Sequence, residues 1–158
     1  MKNLLRKFYQ PYHVSSFYLS KLHHLVALLS RLYLAKVFFS AGWVKLRDWD
    51  TTLFLFEEEY QVPLLPYEAA AYLGTFGEIL FPLLLAIGLT TRFSALALSV
   101  VNVVAVISLA EIAPAALYLH IIWGLLLAHL AIYGSGALSL DNFLKRFRLK
   151  DSFQYPVN

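Results

Sequence analysis

The sequence predicts an all-α membrane protein, a four-helix bundle with both termini on the cytoplasmic side. Three observations predict it. Four apolar runs each approach the roughly 20 residues needed to cross a bilayer core. The turns between the later runs are short enough to force antiparallel neighbours. The joining segments alternate between basic and acidic. At 59% hydrophobic and 15% charged residues, with a mean hydropathy of +0.63, the 158-residue chain is too apolar for a soluble domain of its size.

Residues 1–21 form a basic cytoplasmic segment carrying Lys2, Arg6, Lys7 and Lys21. The apolar run that follows is membrane-spanning in length and ends without an A-x-A-like cleavage site, so it reads as a retained helix rather than a removed signal peptide. The spans fall at about residues 22–46, 68–89, 93–112 and 115–133, inside one domain of residues 22–141. Gly88 can close the second helix and Thr90 or Thr91 can cap the third. Pro114 suits the first turn of the fourth. The long connection 47–67 holds TTLFLFEEEYQVPLLP, whose apolar run is too short to span, and it reads as an interfacial helix or loop. Trp43, Trp49, Tyr60 and Tyr67 around it fit an aromatic belt. Residues 142–158 form a basic cytoplasmic tail with Lys145, Arg146, Arg148 and Lys150.

Arg92 joins the basic ends on one side, while Asp48, Asp50, Glu57, Glu58, Glu59 and Glu111 lie on the other, which orients both termini to the cytoplasm. The same placement accounts for the net charge of +3 and the pI near 9.1 without a nucleic-acid partner. The absence of cysteine excludes disulfides, thiolate metal sites and thiol redox chemistry by the chain itself.

Charges inside the spans need partners. At a rise of 1.5 Å per residue, Arg31 lies roughly 13 Å from the cytoplasmic end of its helix and Glu78 roughly 16 Å from the end of the second. They are expected to pair, with Asn102 and His129 completing one polar layer. Glu78 is the candidate proton-handling residue, Arg31 its charge partner and His129 a further candidate. Pro82 leaves the Glu78 carbonyl without its helical partner, which loosens the helix at that point. A structural layer that fixes helix register and a functional one that handles a proton or a polar headgroup both stay open. Lys36 projects about 140° away from Arg31. It either snorkels outward or faces His120, and Lys36, Asn102 and His120 are the candidate ligand-binding residues. Lys45, near the boundary, is expected to snorkel.

His120 and His129 are nine residues apart, on opposite faces of one helix, and His23 and His24 are adjacent near the surface. This spacing predicts no metal or haem site. The acidic run Glu57 to Glu59 reads as a solvated face. Gly74, Gly77 and Gly124 with Ala128 offer small-residue surfaces for close helix contact. No nucleotide loop, nucleophile elbow or zinc-protease motif is present.

The stretches RLYLAKVFFSAGWVKL, GTFGEILFPLLLAIGLTTRFSAL and YGSGALSLD, within residues 30–141, resemble in order the pattern of the DoxX family of small bacterial membrane proteins. The resemblance implies a four-helix bundle in the bacterial inner membrane. It picks out Arg31, Gly42, Lys45, Glu78, Gly88, Arg92, Gly134, Gly136, Ser139 and Asp141, while the role of Lys36 is not inherited. Proteins of this kind include small subunits of a thiosulfate:quinone oxidoreductase, accessory factors of oxidative-stress complexes, members of metal-responsive peptide systems and assembly or cargo factors. Two expectations follow. One is a membrane subunit or partner of a quinone-linked or oxidative-stress redox complex, at most a subunit of an oxidoreductase, with quinone as the cofactor to consider. The other is a non-catalytic assembly, export or scaffolding factor. Both imply a protein partner besides the bilayer and leave homo-oligomerisation open.

Overall fold

A computed structural model of the chain describes the backbone of residues 2–152 and the side chains of residues 19–146. The side chains of Lys2, Arg6, Lys7, Arg148 and Lys150, on which the orientation argument draws, lie outside the described residues. Among the described residues six helices follow one another: α1 (Lys2–Arg47), α2 (Trp49–Glu58), α3 (Tyr67–Ile87), α4 (Thr91–Ile107), α5 (Pro114–Tyr133) and α6 (Leu140–Ser152). Among the described residues there is no strand, only an isolated backbone bridge between Tyr60 and Leu109.

Three helices are long and apolar enough to cross a membrane: α1 over Leu19–Arg47, α3 and α5. The 17-residue α4 is apolar but shorter than the run 93–112 expected for it, because the chain leaves the helix at Ser108. There the Ser108 hydroxyl donates to the Val104 carbonyl at 2.6 Å, and the Ser108 carbonyl accepts from Gln61 N at 2.8 Å. The backbone of the α4–α5 turn is thereby tied to the segment after α2.

The helices α1, α3, α4 and α5 pack around one core of Ala27, Leu34, Phe38, Leu85, Ala95, Leu98, Leu127 and Leu130. A second, smaller core of Phe56, Ala70 and Ala71 seats α2 against α3. The connection 47–67 contains the short helix α2, the helical one of the two forms expected for it. Its start is fixed by Asp48, whose carboxylate accepts from Thr51 N at 3.1 Å and is held below the ordinary carboxyl range by hydrogen bonding to Thr51, first from its side chain and then from its backbone N–H. Thr52 bonds back to the Lys45 carbonyl at 3.0 Å, which ties α2 to the end of α1.

Gly42 sets the approach of α1 to α3. A Cβ there would stand 2.8 Å from Glu78 Cβ and 3.0 Å from the Glu78 backbone carbon, so only glycine lets the helices meet at this distance. The Gly42→Ala variant is expected to lose roughly 1–3 kcal/mol of stability, since a clash with backbone cannot be relieved by a rotamer change. Thermal unfolding in detergent reads this. An unchanged midpoint would place the closest approach of α1 and α3 elsewhere.

Candidate functional site

Arg31 and Glu78 do not pair. The Arg31 side chain, 2% exposed, sits at the C-terminal end of α3 and donates to four backbone carbonyls. Nε bonds Leu85 at 2.9 Å, Nη2 bonds Ala86 at 2.9 Å, and Nη1 bonds Ser135 at 2.7 Å and Leu138 at 2.8 Å. The last carbonyls of a helix lack intrahelical partners and carry its negative partial charge, so a guanidinium fork answers both needs. The expected pairing fails because depth was counted from where the apolar run begins. The α1–α3 register instead places Gly42, eleven residues beyond Arg31, against Glu78.

Around Arg31 the chain closes a clasp. Gly88 ends α3 with φ +72°, and a Cβ on it would lie 2.6 Å from Ser139 Cβ and 2.8 Å from Arg31 Nη2. Gly88 therefore closes α3 as expected. Thr90 does not cap α4 with its side chain. Asp141 takes that place, its carboxylate accepting from Thr90 N at 2.8 Å and Thr91 N at 3.0 Å, while Asp141 N donates to the Gly88 carbonyl at 2.9 Å. Ser139 bonds Asn142 N at 3.2 Å and so starts α6, and His24 Nδ1 accepts from Ala137 N at 3.1 Å. The basic tail thus opens as a helix, which the sequence reading left unassigned.

Glu78 is 6% exposed and its partner is Lys45, which bonds it directly. Lys45 does not snorkel away, because it lies one turn beyond Gly42 on the side facing α3. The pair stands in the wall of a cavity of about 580 Å³, lined mainly by apolar residues such as Val37, Phe38, Leu73, Val101 and Val104. The polar edge of that lining comes from Lys45, Glu78, Tyr60, Ser108 and His120. Burial, and then the carboxylates of Glu59 and Glu78, raise the Tyr60 phenol above its ordinary value, so it keeps its hydrogen at neutral pH.

Asn102 and His120 meet each other. The imidazole Nδ1 and Asn102 Oδ1 are 2.8 Å apart, and Asn102 Nδ2 donates to the His120 carbonyl at 2.9 Å. The expected single layer is therefore two. His129 belongs to neither pair: its ring lies 5.3 Å from His23 and 5.2 Å from Tyr133 near the far end of α5, and its Nδ1 is buried without a hydrogen-bond partner. Lys36 is exposed on α1 and is not among the residues lining the cavity with His120. Among the described residues no group of three or more His, Asp or Glu side chains converges as for a metal. Tyr60, which the sequence offers only as an aromatic-belt residue, is a site residue, and so is Lys45, which the resemblance picks out but the depth argument sends to the boundary. The signal for Lys45 was its one-turn spacing from Gly42.

The arrangement changes the expected coupling. Glu78→Ala leaves Lys45 without its partner and is expected to cost roughly 1–3 kcal/mol, below the value for a fully enclosed pair because the Lys45 side chain keeps 22% exposure. Joint Lys45→Met and Glu78→Leu replacement should recover most of that loss. Arg31→Met combined with Glu78→Leu should be additive within about 0.5 kcal/mol, since the two residues share no contact. A double-mutant cycle of unfolding in detergent checks both, and strong Arg31–Glu78 coupling would contradict the assignment.

The family model for DoxX matches residues 26–111. An uncharacterized protein of Haemophilus influenzae is 31% identical over 128 residues, covering 75% of this chain and 83% of the relative. No solved structure matches. The matched region runs from the core residue Ala27 through the Lys45–Glu78 pair to the turn after α4, and with its long apolar helices the chain is a membrane protein that belongs to the DoxX family.

Proposed function

We propose that the chain works as an integral inner-membrane partner of a quinone-linked or stress-related redox complex, the cavity receiving a quinone head and the Lys45–Glu78 pair handling its protons. The observation that carries this reading is a largely apolar cavity of about 580 Å³ with a buried lysine–carboxylate pair in its wall. That volume lies within the roughly 300–1,000 Å³ usual for small-molecule sites, and few polar groups in an apolar lining suit an amphipathic ring. Lys45 offers a donor to a carbonyl, and Glu78 is placed to take or return a proton through Lys45. Val37, Phe38 and Val101 supply apolar lining to the same cavity. A bound quinone supplies the two-electron chemistry. The electrons come from a partner protein, since the chain has no thiol of its own.

In this reading α1, α3, α4 and α5 form a four-span bundle. The 17 residues of α4 extend about 25 Å, at the short end of what a bilayer accepts. Arg92, Lys145 and Arg146 lie at the clasp end, while Asp48, Asp50 and Glu57 to Glu59 lie at the cavity end, which favours cytoplasmic termini and a cavity in the outer half. Reporter fusions at Asn158 and within residues 50–61 should report cytoplasm and periplasm respectively. A periplasmic signal from the C-terminal fusion overturns this topology.

The second reading, a non-catalytic assembly or export factor, draws on α5, where Leu127 and Leu130 are buried while Ile121, Ile122, Leu125 and Ile132 offer apolar surface to lipid or to a partner helix. Glu78→Gln separates the two. It keeps a hydrogen-bond acceptor for Lys45 and removes the titrating group. Folded yield should be retained while quinone-coupled activity in membranes containing the partner falls at least tenfold. Full activity of this variant favours the assembly reading.

A further inference from the structure

His120 reaches the same cavity from α5, and its tautomer is not free. The His120 backbone carbonyl can only accept, so the Asn102 amide must turn its NH₂ toward it, at 2.9 Å. That leaves Asn102 Oδ1, which also can only accept, 2.8 Å from the ring. In the neutral imidazole Nδ1 therefore carries the hydrogen and Nε2 keeps its lone pair. Donor and acceptor chemistry alone thus fixes the Asn102 amide orientation and the His120 tautomer together.

The other polar groups of the cavity are ion-paired or carry hydrogens of their own. Lys45 bonds Glu78 at Oε2, which sets a cation against that carboxylate. The Ser108 hydroxyl donates to the Val104 carbonyl. Tyr60 keeps its phenolic hydrogen. The Trp123 ring packs edge-on against His120 at 4.8 Å, and its indole N–H is committed to the Tyr33 hydroxyl at 3.1 Å. A neutral acceptor in a donor-rich apolar cavity selects for a ligand that brings a hydrogen.

We propose that His120 Nε2 is the hydroxyl-accepting contact of this cavity, with Asn102 as its positioning residue. The site then favours an amphiphile whose head carries a phenolic hydroxyl over one whose head offers carbonyls alone. Applied to the redox reading, on which it rests, this makes the reduced, hydroquinone form the tighter-held one. A head with only carbonyl oxygens finds Lys45 but brings no hydrogen to the His120 lone pair.

Decylhydroquinone and decylbenzoquinone share one skeleton and test this on the full chain in phospholipid nanodiscs with ¹⁵N-labelled histidine. His120 Nδ1 should give a protonated, pyrrole-type signal and Nε2 a pyridine-type one, and the hydroquinone should move the Nε2 signal upfield while the quinone leaves it in place. The hydroquinone should bind roughly threefold to tenfold more tightly. His120→Phe keeps the ring against Trp123 and should erase that preference while retaining quinone binding. Asn102→Leu should mix the two tautomers. The NMR measurement needs no variant, so a poorly folding substitution does not shield the proposal. A pyrrole-type Nε2 in the unmutated protein, equal binding of the two probes, or a preference that survives in His120→Phe overturns it and leaves the redox reading standing. If neither probe binds, the redox reading falls and this inference falls with it.

Discussion

The guanidinium of Arg31 holds the fold at one point, and most of the other geometry is placed relative to it. A positive charge buried among helices is costly unless its hydrogens are answered. Here they are answered by four backbone carbonyls, two from the end of α3 and two from the segment joining α5 to α6. Because the acceptors are backbone, the contact fixes chain path rather than side-chain identity. It brings the start and end of the packed region together, sets Gly88 against Ser139, and lets Asp141 reach the N-terminus of α4. A lysine would reach one or two of these carbonyls but lacks the rigid fork that addresses four.

With that end closed, the helices separate toward the other. The shared core of Ala27, Leu34, Leu85, Leu98, Leu127 and Leu130 fills the space near the clasp. Farther along, α1 meets α3 at Gly42 but leaves space between Ala41 on its flank and His120 on α5, and α2 with the Tyr60–Leu109 bridge covers the end. The residues picked out by the family pattern divide accordingly. Arg31, Gly88, Ser139 and Asp141 build the clasp, while Gly42, Lys45 and Glu78 build the cavity wall. A single motif set thus encodes two separate physical tasks.

The helical architecture was legible because apolar length, Gly88, Pro114 and the apolar run of the 47–67 connection, too short to span, are local signals. Partner identity was not. The acceptors of Arg31 are carbonyls, which every residue possesses, so no side chain in the sequence marks them. The cap of α4 comes from Asp141, fifty residues from Thr91, where local reasoning offered only Thr90 or Thr91. The pairing of Glu78 depended on the α1–α3 register, and that register is set by contact at Gly42 rather than by counting from the start of an apolar run. The two-layer arrangement follows from the same point: Arg31 sits beside Leu85, one to two helical turns beyond Glu78 along α3.

The size of the cavity bears on how any ligand is selected. A lining this apolar favours an apolar occupant, because its wall atoms otherwise lack contacts on one side. Ala41, exposed on α1, belongs to the lining, so the cavity opens at the molecular surface, and in the four-span reading lipid chains have access to it. Binding is therefore an exchange of one apolar occupant for another, and the apolar contacts nearly cancel between the two. What remains to discriminate is the small polar edge: the Lys45 donor, the Glu78 carboxylate and the lone pair that Asn102 preserves on His120. Selectivity in such a site rests on those few atoms, and a substitution at any of them should alter ligand preference more than it alters the volume available.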